Sequence, residues 1–281
     1  YTEENTLSLH DALPIFRLDK DVADRAYDDF PGQYSGLFFL RGSNGNLEYL
    51  NMRNSLYGVN VGNIKTSDNP AANLAALQSM SIGNAPEVSI KNSRIYNHAF
   101  YGLFGFLGKI YAENTLIYNC GKNLVGLYDG GQYQFLNCTF YARSSSYISH
   151  SKEPAFYIND YFKLDETNYL FADAASAEFE NCILYGTLEE EIVEDDLNDN
   201  PLDINLSLQK CVVKTQPPLN TAVFVDCKNE DPQFKDVFKN DFNLKATSPC
   251  IDFSSGFSPP KDIDGFDRNG LRADCGAYEF R

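Results

Sequence analysis

Apolar and polar positions alternate in short runs along this chain, and the runs recur. Six segments align without gaps: 48–54 (EYLNMRN), 90–97 (IKNSRIYN), 112–119 (AENTLIYN), 135–142 (FLNCTFYA), 179–186 (FENCILYG) and 208–215 (LQKCVVKT). The last five share an apolar or small residue, a position that is polar in all but one (Leu136), Asn (Lys in the last copy), a small residue and two or three apolar ones. The Asn positions are Asn92, Asn114, Asn137 and Asn181; the first copy is a weaker match, aligned through Met52 and Asn54. Steps of 22 and 23 residues separate the first three, the length of one coil of a parallel β-helix. Such a coil cannot bury its apolar side alone and must stack on its neighbours.

The period-2 pattern sets the direction of the side chains. Around Asn137, Tyr133, Phe135, Cys138 and Phe140 all point inward if a strand, a sharp corner at the Asn and a second strand follow one another. Asn suits that corner because it tolerates the left-handed backbone that costs other residues about 1–2 kcal/mol. Stacking predicts three inward columns: Ile90–Ala112–Phe135–Phe179–Leu208, Ser93–Thr115–Cys138–Cys182–Cys211 and Ile95–Ile117–Phe140–Leu184–Val213. A third strand per coil is predicted at 57–61 (YGVNV), 101–105 (YGLFG) and 125–129 (VGLYD). A β-sandwich would instead need Asn-Gly or Asp-Gly hairpin turns every 8–12 residues, and the repeat region carries only two such pairs, at 44–45 and 129–130. The expected fold is all-β, a single-stranded right-handed parallel β-helix over 16–226, with insertions near 62–87, 143–176 and 186–204, closed by a C-terminal cap over 227–281.

If Val59, Leu103 and Leu127 point inward, Asn60, Phe104 and Tyr128 point outward from consecutive coils about 4.8 Å apart. Two rings and an amide in line suit stacking on sugar faces; under an insertion they would form a satellite core instead. Asp129, just after Tyr128, joins them as a candidate ligand-binding residue, although a turn Asp is expected there in any case.

Composition narrows the partners. The formal charge of −16 argues against nucleic acid or an anionic membrane, both of which reward Lys and Arg. No apolar run approaches the length of a transmembrane helix, and a monomer is expected. The first fifteen residues share no pattern with the coils and look like a non-native leader. The natural chain would then begin near Phe16, and the lack of a signal peptide carries no weight.

Two stretches resemble known families. Residues 17–61, followed by the coils, resemble a group of Bacteroidetes surface proteins with a pectate-lyase-like right-handed β-helix, whose usual Pro-Gly-Gln-Trp is Pro31-Gly-Gln-Tyr34 here. Residues 231–280 are similar to the choice-of-anchor Q ending, through Ser248 to Asp252, Asp262 to Gly265 and Gly276 to Glu279. The resemblance implies an exported protein at the cell envelope, extracellular or on the outer-membrane surface, often a lipoprotein, with no settled activity.

The remaining chemistry is sparse. Between Gly186 and Asp203 lie eight acidic residues, a solvated loop or a calcium site, since calcium takes six to eight oxygens. The Asp262–Gly270 stretch places its Gly too early for a calcium loop and is read as a turn. The hydrolase relatives of pectate lyase carry Gly-His-Gly, which is absent. His98 and His150 are expected at the surface, and Arg94 and Lys109 are expected to face solvent without a carboxylate partner. Stacked Cys138, Cys182 and Cys211 are expected as buried packing thiols. Cys250 and Cys275 sit inside the C-terminal signatures and are candidates for a disulfide closing the end of the coil. No catalytic residue and no metal ligand can be named. A non-catalytic, carbohydrate-contacting or structural envelope protein is expected, with a polysaccharide lyase or glycoside hydrolase as the alternative.

Overall fold

The computed structural model describes residues 29–62, 75, 79, 81–163, 169–171, 175–197, 204–216, 218–219, 221–268, 270 and 272–281. The presumed leader and most of 63–80 lie outside the described residues.

The chain is all-β, and its long sheets are parallel. Each repeat contributes one strand to each of three stacks. Sheet 1 holds Asn44–Glu48, Glu87–Lys91, the second parts of Leu103–Glu113 and Val125–Leu136, then Ala175–Glu180, Ile204–Gln209 and Phe224–Val225. Sheet 2 holds Asn51–Arg53, Arg94–His98, Leu116–Cys120, Thr139–Ala142, Ile183–Gly186 and Val212–Val213. Sheet 3 holds Leu37–Phe39, Val59–Val61, the first parts of Leu103–Glu113 and Val125–Leu136, then Phe156–Asn159 and Ile192–Asp195. Two strands run through sheets 3 and 1 without a break and bend at Leu107 (φ 45) and Asp129 (φ 57).

The predicted inward columns of sheets 1 and 2 are all present. Ile90 pairs with Ala112, Ala112 with Phe135, Phe135 with Phe179 and Phe179 with Leu208. Ile95, Ile117, Phe140, Leu184 and Val213 are likewise in register. Between the two sheets the small-residue column passes a hydrogen bond from repeat to repeat. The Cys138 N–H donates to Cys182 Sγ at 3.3 Å, and the Cys182 N–H to Cys211 Sγ at 3.4 Å. The weak first copy is in register too, with Met52 opposite Ile95 and Tyr49 at the left-handed corner.

Two expectations change. The segments 143–176 and 186–204 are not wholly insertions, because Phe156–Asn159 and Ile192–Asp195 are parallel strands of sheet 3. Their four-residue runs lack the Asn phrase that marks the other two sheets. The true addition is the antiparallel pair Tyr161–Lys163 and Tyr169–Phe171, which lays Phe162 against Phe106 at 5.5 Å.

The C-terminal segment lies along the flank of the stack rather than over an end. The outward face of sheet 2 is apolar at Leu116, Ile183 and Val212, and the segment covers it with Phe234, Phe242, Leu244, Ile263 and Ala277. It is tied to the Asn corners: Asn114 Nδ2 donates to the Lys261 carbonyl at 2.7 Å, Asn137 Nδ2 to that of Asp274 at 3.1 Å and Asn181 Nδ2 to that of Ser255 at 2.9 Å. Gly276 (φ 89) makes this close approach possible, since a Cβ there would sit 2.7 Å from Thr139 Oγ1.

Candidate functional site

Sheet 3 turns a row of rings outward. Phe38 and Tyr57 lie 6.1 Å apart, Tyr57 and Phe100 5.1 Å, Tyr101 and Phe104 5.1 Å, Phe104 and Tyr128 5.3 Å, and Tyr128 and Tyr157 5.2 Å. Tyr57 and Tyr101 join the two halves of the row. Phe38 and Phe100 are exposed, and Tyr57, Phe104, Tyr128 and Tyr157 are half-buried. Four strand spacings of about 4.8 Å make the strip roughly 19 Å long.

The strip is assembled differently from the sequence expectation. Leu103 pairs with Val125, so Phe104 stands opposite Gly126, and Tyr128 stands opposite Phe106. The slip is two residues, which preserves the face but not the row. Phe104 and Tyr128 still stack because position 126 is glycine: a Cβ there would meet Tyr101 at 2.7 Å and Tyr128 at 3.0 Å. The rings lean into that gap.

Polar groups edge the strip. The Tyr101 and Tyr128 hydroxyls are 3.1 Å apart, and Lys122 Nζ sits 5.2 Å and 5.8 Å from the same two rings. Burial and the adjoining Tyr101 push the Tyr128 phenol upward, so it remains a neutral donor. At the far end Tyr157 and Tyr161 donate to Asp195 Oδ2, at 2.5 and 2.7 Å. Burial and that carboxylate raise both phenols.

Asn60 and Asp129 do not fit the expected exposed platform. Asn60 is 1% exposed, in register between Phe38 and Phe104, whose bulk flanks its short side chain. Asp129 is 4% exposed at the bend between sheets 3 and 1, where its N–H donates to Asn159 Oδ1 at 3.2 Å. Of the four candidates, Phe104 and Tyr128 are brought together at the surface. Tyr57, Phe100, Tyr101 and Tyr157 were missed. The Tyr-Gly pairs at 57–58 and 101–102 were the available signal.

A second concavity lies on the outward face of sheet 1, a groove of about 1010 Å³. Its wall includes Arg41, Glu87, Lys109, Tyr111, Gln134 and Glu178. Lys109, expected without a carboxylate partner, stands beside Glu87 in register. Arg94, also expected alone, reaches Asp264 at 2.5 Å.

His98 and His150 are both buried. His98 faces inward one residue past the Asn97 corner, its Nδ1 2.6 Å from Ser55 Oγ, and burial drives its pKa down to about 3. His150 Nε2 is 2.9 Å from Glu191 Oε1, and both side chains are almost wholly enclosed. Glu191 also accepts the Ala155 and Leu188 N–H groups at 2.8 Å each. Other acids of the 186–203 run are engaged as well: Glu190 accepts the Gln216 N–H at 2.9 Å and Glu189 the Gln216 amide at 2.6 Å. Asp199 and Asp203 lie outside the described residues. Among the described residues no three His, Cys, Asp or Glu side chains form a group able to hold a metal. Cys250 and Cys275 are adjacent in the flank segment, joined by a 2.9 Å backbone hydrogen bond. Both carry buried free thiols, and Cys275 Sγ donates to the Lys210 carbonyl at 2.8 Å.

No helix among the described residues is long and apolar enough to cross a membrane. No known family model matches the chain, and no curated protein matches it significantly.

Proposed function

We propose that the stacked repeats form one right-handed parallel β-helix, and that the chain is an exported, non-catalytic protein of a bacterial envelope that contacts carbohydrate. The observation that carries the carbohydrate reading is the strip from Phe38 to Tyr157. Rings of this kind present apolar faces to the C–H faces of sugars, while the phenols at their edges donate to hydroxyls. The envelope location rests on the resemblance of the C-terminal segment alone. Replacing Phe104 and Tyr128 together by Ala should weaken glycan binding at least tenfold with the far-ultraviolet spectrum unchanged. Ionic strength should have little effect, because a chain this acidic does not draw a glycan by charge. Undiminished affinity in the folded double variant would remove the strip from the account.

A second reading, a polysaccharide lyase or hydrolase, is favoured by the groove on sheet 1, where Arg41, Lys109, Glu87 and Glu178 share one face. A glycan array combined with a uronate- and reducing-end-release assay on one sample separates the two. Binding without release supports the first reading. New unsaturated or reducing ends, lost in Lys109→Ala, would replace it with the second.

A further inference from the structure

A cleft of about 690 Å³ opens between the C-terminal flank segment and the Lys210 corner of the stack. It shares no lining residue with the groove on sheet 1 and none with the aromatic strip. Its described lining carries Lys210, Arg268 and Arg272, with Ser254, Ser255 and Ser258, and no Asp or Glu. The whole chain has 39 acidic residues against 23 basic ones, whereas this lining is cationic, with Asp226 and Glu279 pairing two of its three charges from outside it.

The donors are not used up by the protein. Arg268, whose side chain is 3% exposed, spends its two terminal nitrogens on Glu279, Asn114 and the Asp274 and Gly276 carbonyls. Its Nε has no hydrogen-bond partner, and neither has the buried Ser255 hydroxyl. Buried polar atoms are nearly always paired, and these two idle ones belong to residues that line the same cleft. Lys210 Nζ is 3.5 Å from Asp226, whose carboxylate is 68% exposed and holds it only weakly. Arg272 is exposed at the mouth. Pro259 and Pro260 also line the cleft and stiffen its backbone.

We propose that this cleft binds a tetrahedral oxyanion, sulfate or phosphate, either free or as an ester on a sugar. Guanidinium and ammonium groups with hydroxyl donors around one space match oxygens pointing in several directions. Carboxylate oxygens of Glu180 and Asp252 lie close to the turns at Gly256 and Gly270 and limit the affinity for a lone ion.

The test is a calorimetric titration of the whole chain with sodium sulfate, ionic strength being held constant with sodium chloride. Saturable binding is expected for the parent. Lys210→Asn combined with Arg272→Gln should weaken it at least tenfold, and Lys245→Gln, outside the cleft, should not. Lys210 sits at φ 55 in the corner column where four other repeats carry Asn, so this substitution keeps the backbone it needs. Arg272→Gln alone, on an exposed residue, gives the same reading should the double variant prove unstable. Galactose 6-sulfate as a second probe separates the sources: tighter binding than sulfate assigns the site to a sugar ester, and equal binding to the free ion. Absence of saturation in the parent, or equal affinity in the variants, overturns the proposal.

Discussion

At the scale of single residues, the corner between sheets 1 and 2 demands a left-handed backbone in repeat after repeat. Tyr49, Asn92, Asn114, Asn137, Asn181, Lys210 and Asp226 all hold φ between 47° and 56° there. Asn is the cheapest of these at a left-handed backbone, and its amide also reaches a neighbour, as from Asn114 Nδ2 to Asn92 Oδ1 at 3.2 Å. A β-branched residue in that conformation is a true outlier. Asn137→Val should therefore cost about 2–4 kcal/mol, from strain and from the lost bond to the Asp274 carbonyl. A urea midpoint equal to that of the parent would contradict it. His98 supplies a second prediction. Its folded pKa lies well below the unfolded value, so the unfolded chain binds the extra proton as pH falls below about 6.5. The folded state should lose stability through this group from that point down toward pH 3, by on the order of 1.4 kcal/mol per pH unit at most. Subtracting the pH–stability curve of His98→Gln from that of the parent isolates the term, and a flat difference would refute it.

At the scale of strands, the sequence was legible where a corner residue punctuated the pattern and illegible where none did. Sheets 1 and 2 flank the Asn phrase, so their inward columns could be stacked with no gap between copies. Sheet 3 has no such marker, and 125–129 was aligned two residues out of register. A shift of two preserves the alternation, which is why Phe104 and Tyr128 were still placed on the outward face. The same lack of a marker hid Phe156–Asn159 and Ile192–Asp195 inside supposed insertions. Burial of His98 was missed because the sheet 2 strand runs on past Asn97 and ends at His98, opposite the buried Cys120. The gap at Gly126 could not be anticipated, since it depends on which residue stands beside it. It gives the strip its own test: Gly126→Val pushes into Tyr101 and Tyr128 without removing a ring. A cost of about 1–3 kcal/mol is expected, with an altered near-ultraviolet tyrosine signal and weaker glycan binding. Retained ring signals and affinity would show that the gap does not organise the strip.

At the scale of the whole molecule, the flank segment joins repeats that are distant in sequence. Two of its buried carboxylates are ion-paired: Glu279 with Arg268 at 3.2 Å, and Asp262 with Arg281 at 3.1 Å. Glu279→Gln should destabilise the chain by about 3 kcal/mol or more, because it leaves an enclosed guanidinium without its counter-charge. Chemical denaturation measures this, and a change below about 1 kcal/mol would mean that water or another carboxylate substitutes.

The same segment acts as a ruler. It touches the stack at Arg94, Asn114, Asn137 and Asn181 through Asp264, Lys261, Asp274 and Ser255, four grips spaced by the rise of the repeats. A stack without such a strap tolerates the gain or loss of a unit by tandem duplication or deletion. In this chain a unit copied between Asn114 and Asn181 would pull the grips out of step and uncover the apolar face of sheet 2. A unit added ahead of Arg94 would leave them aligned. Lineages of this protein should therefore vary in length on the N-terminal side of Arg94 and keep a fixed repeat count after it.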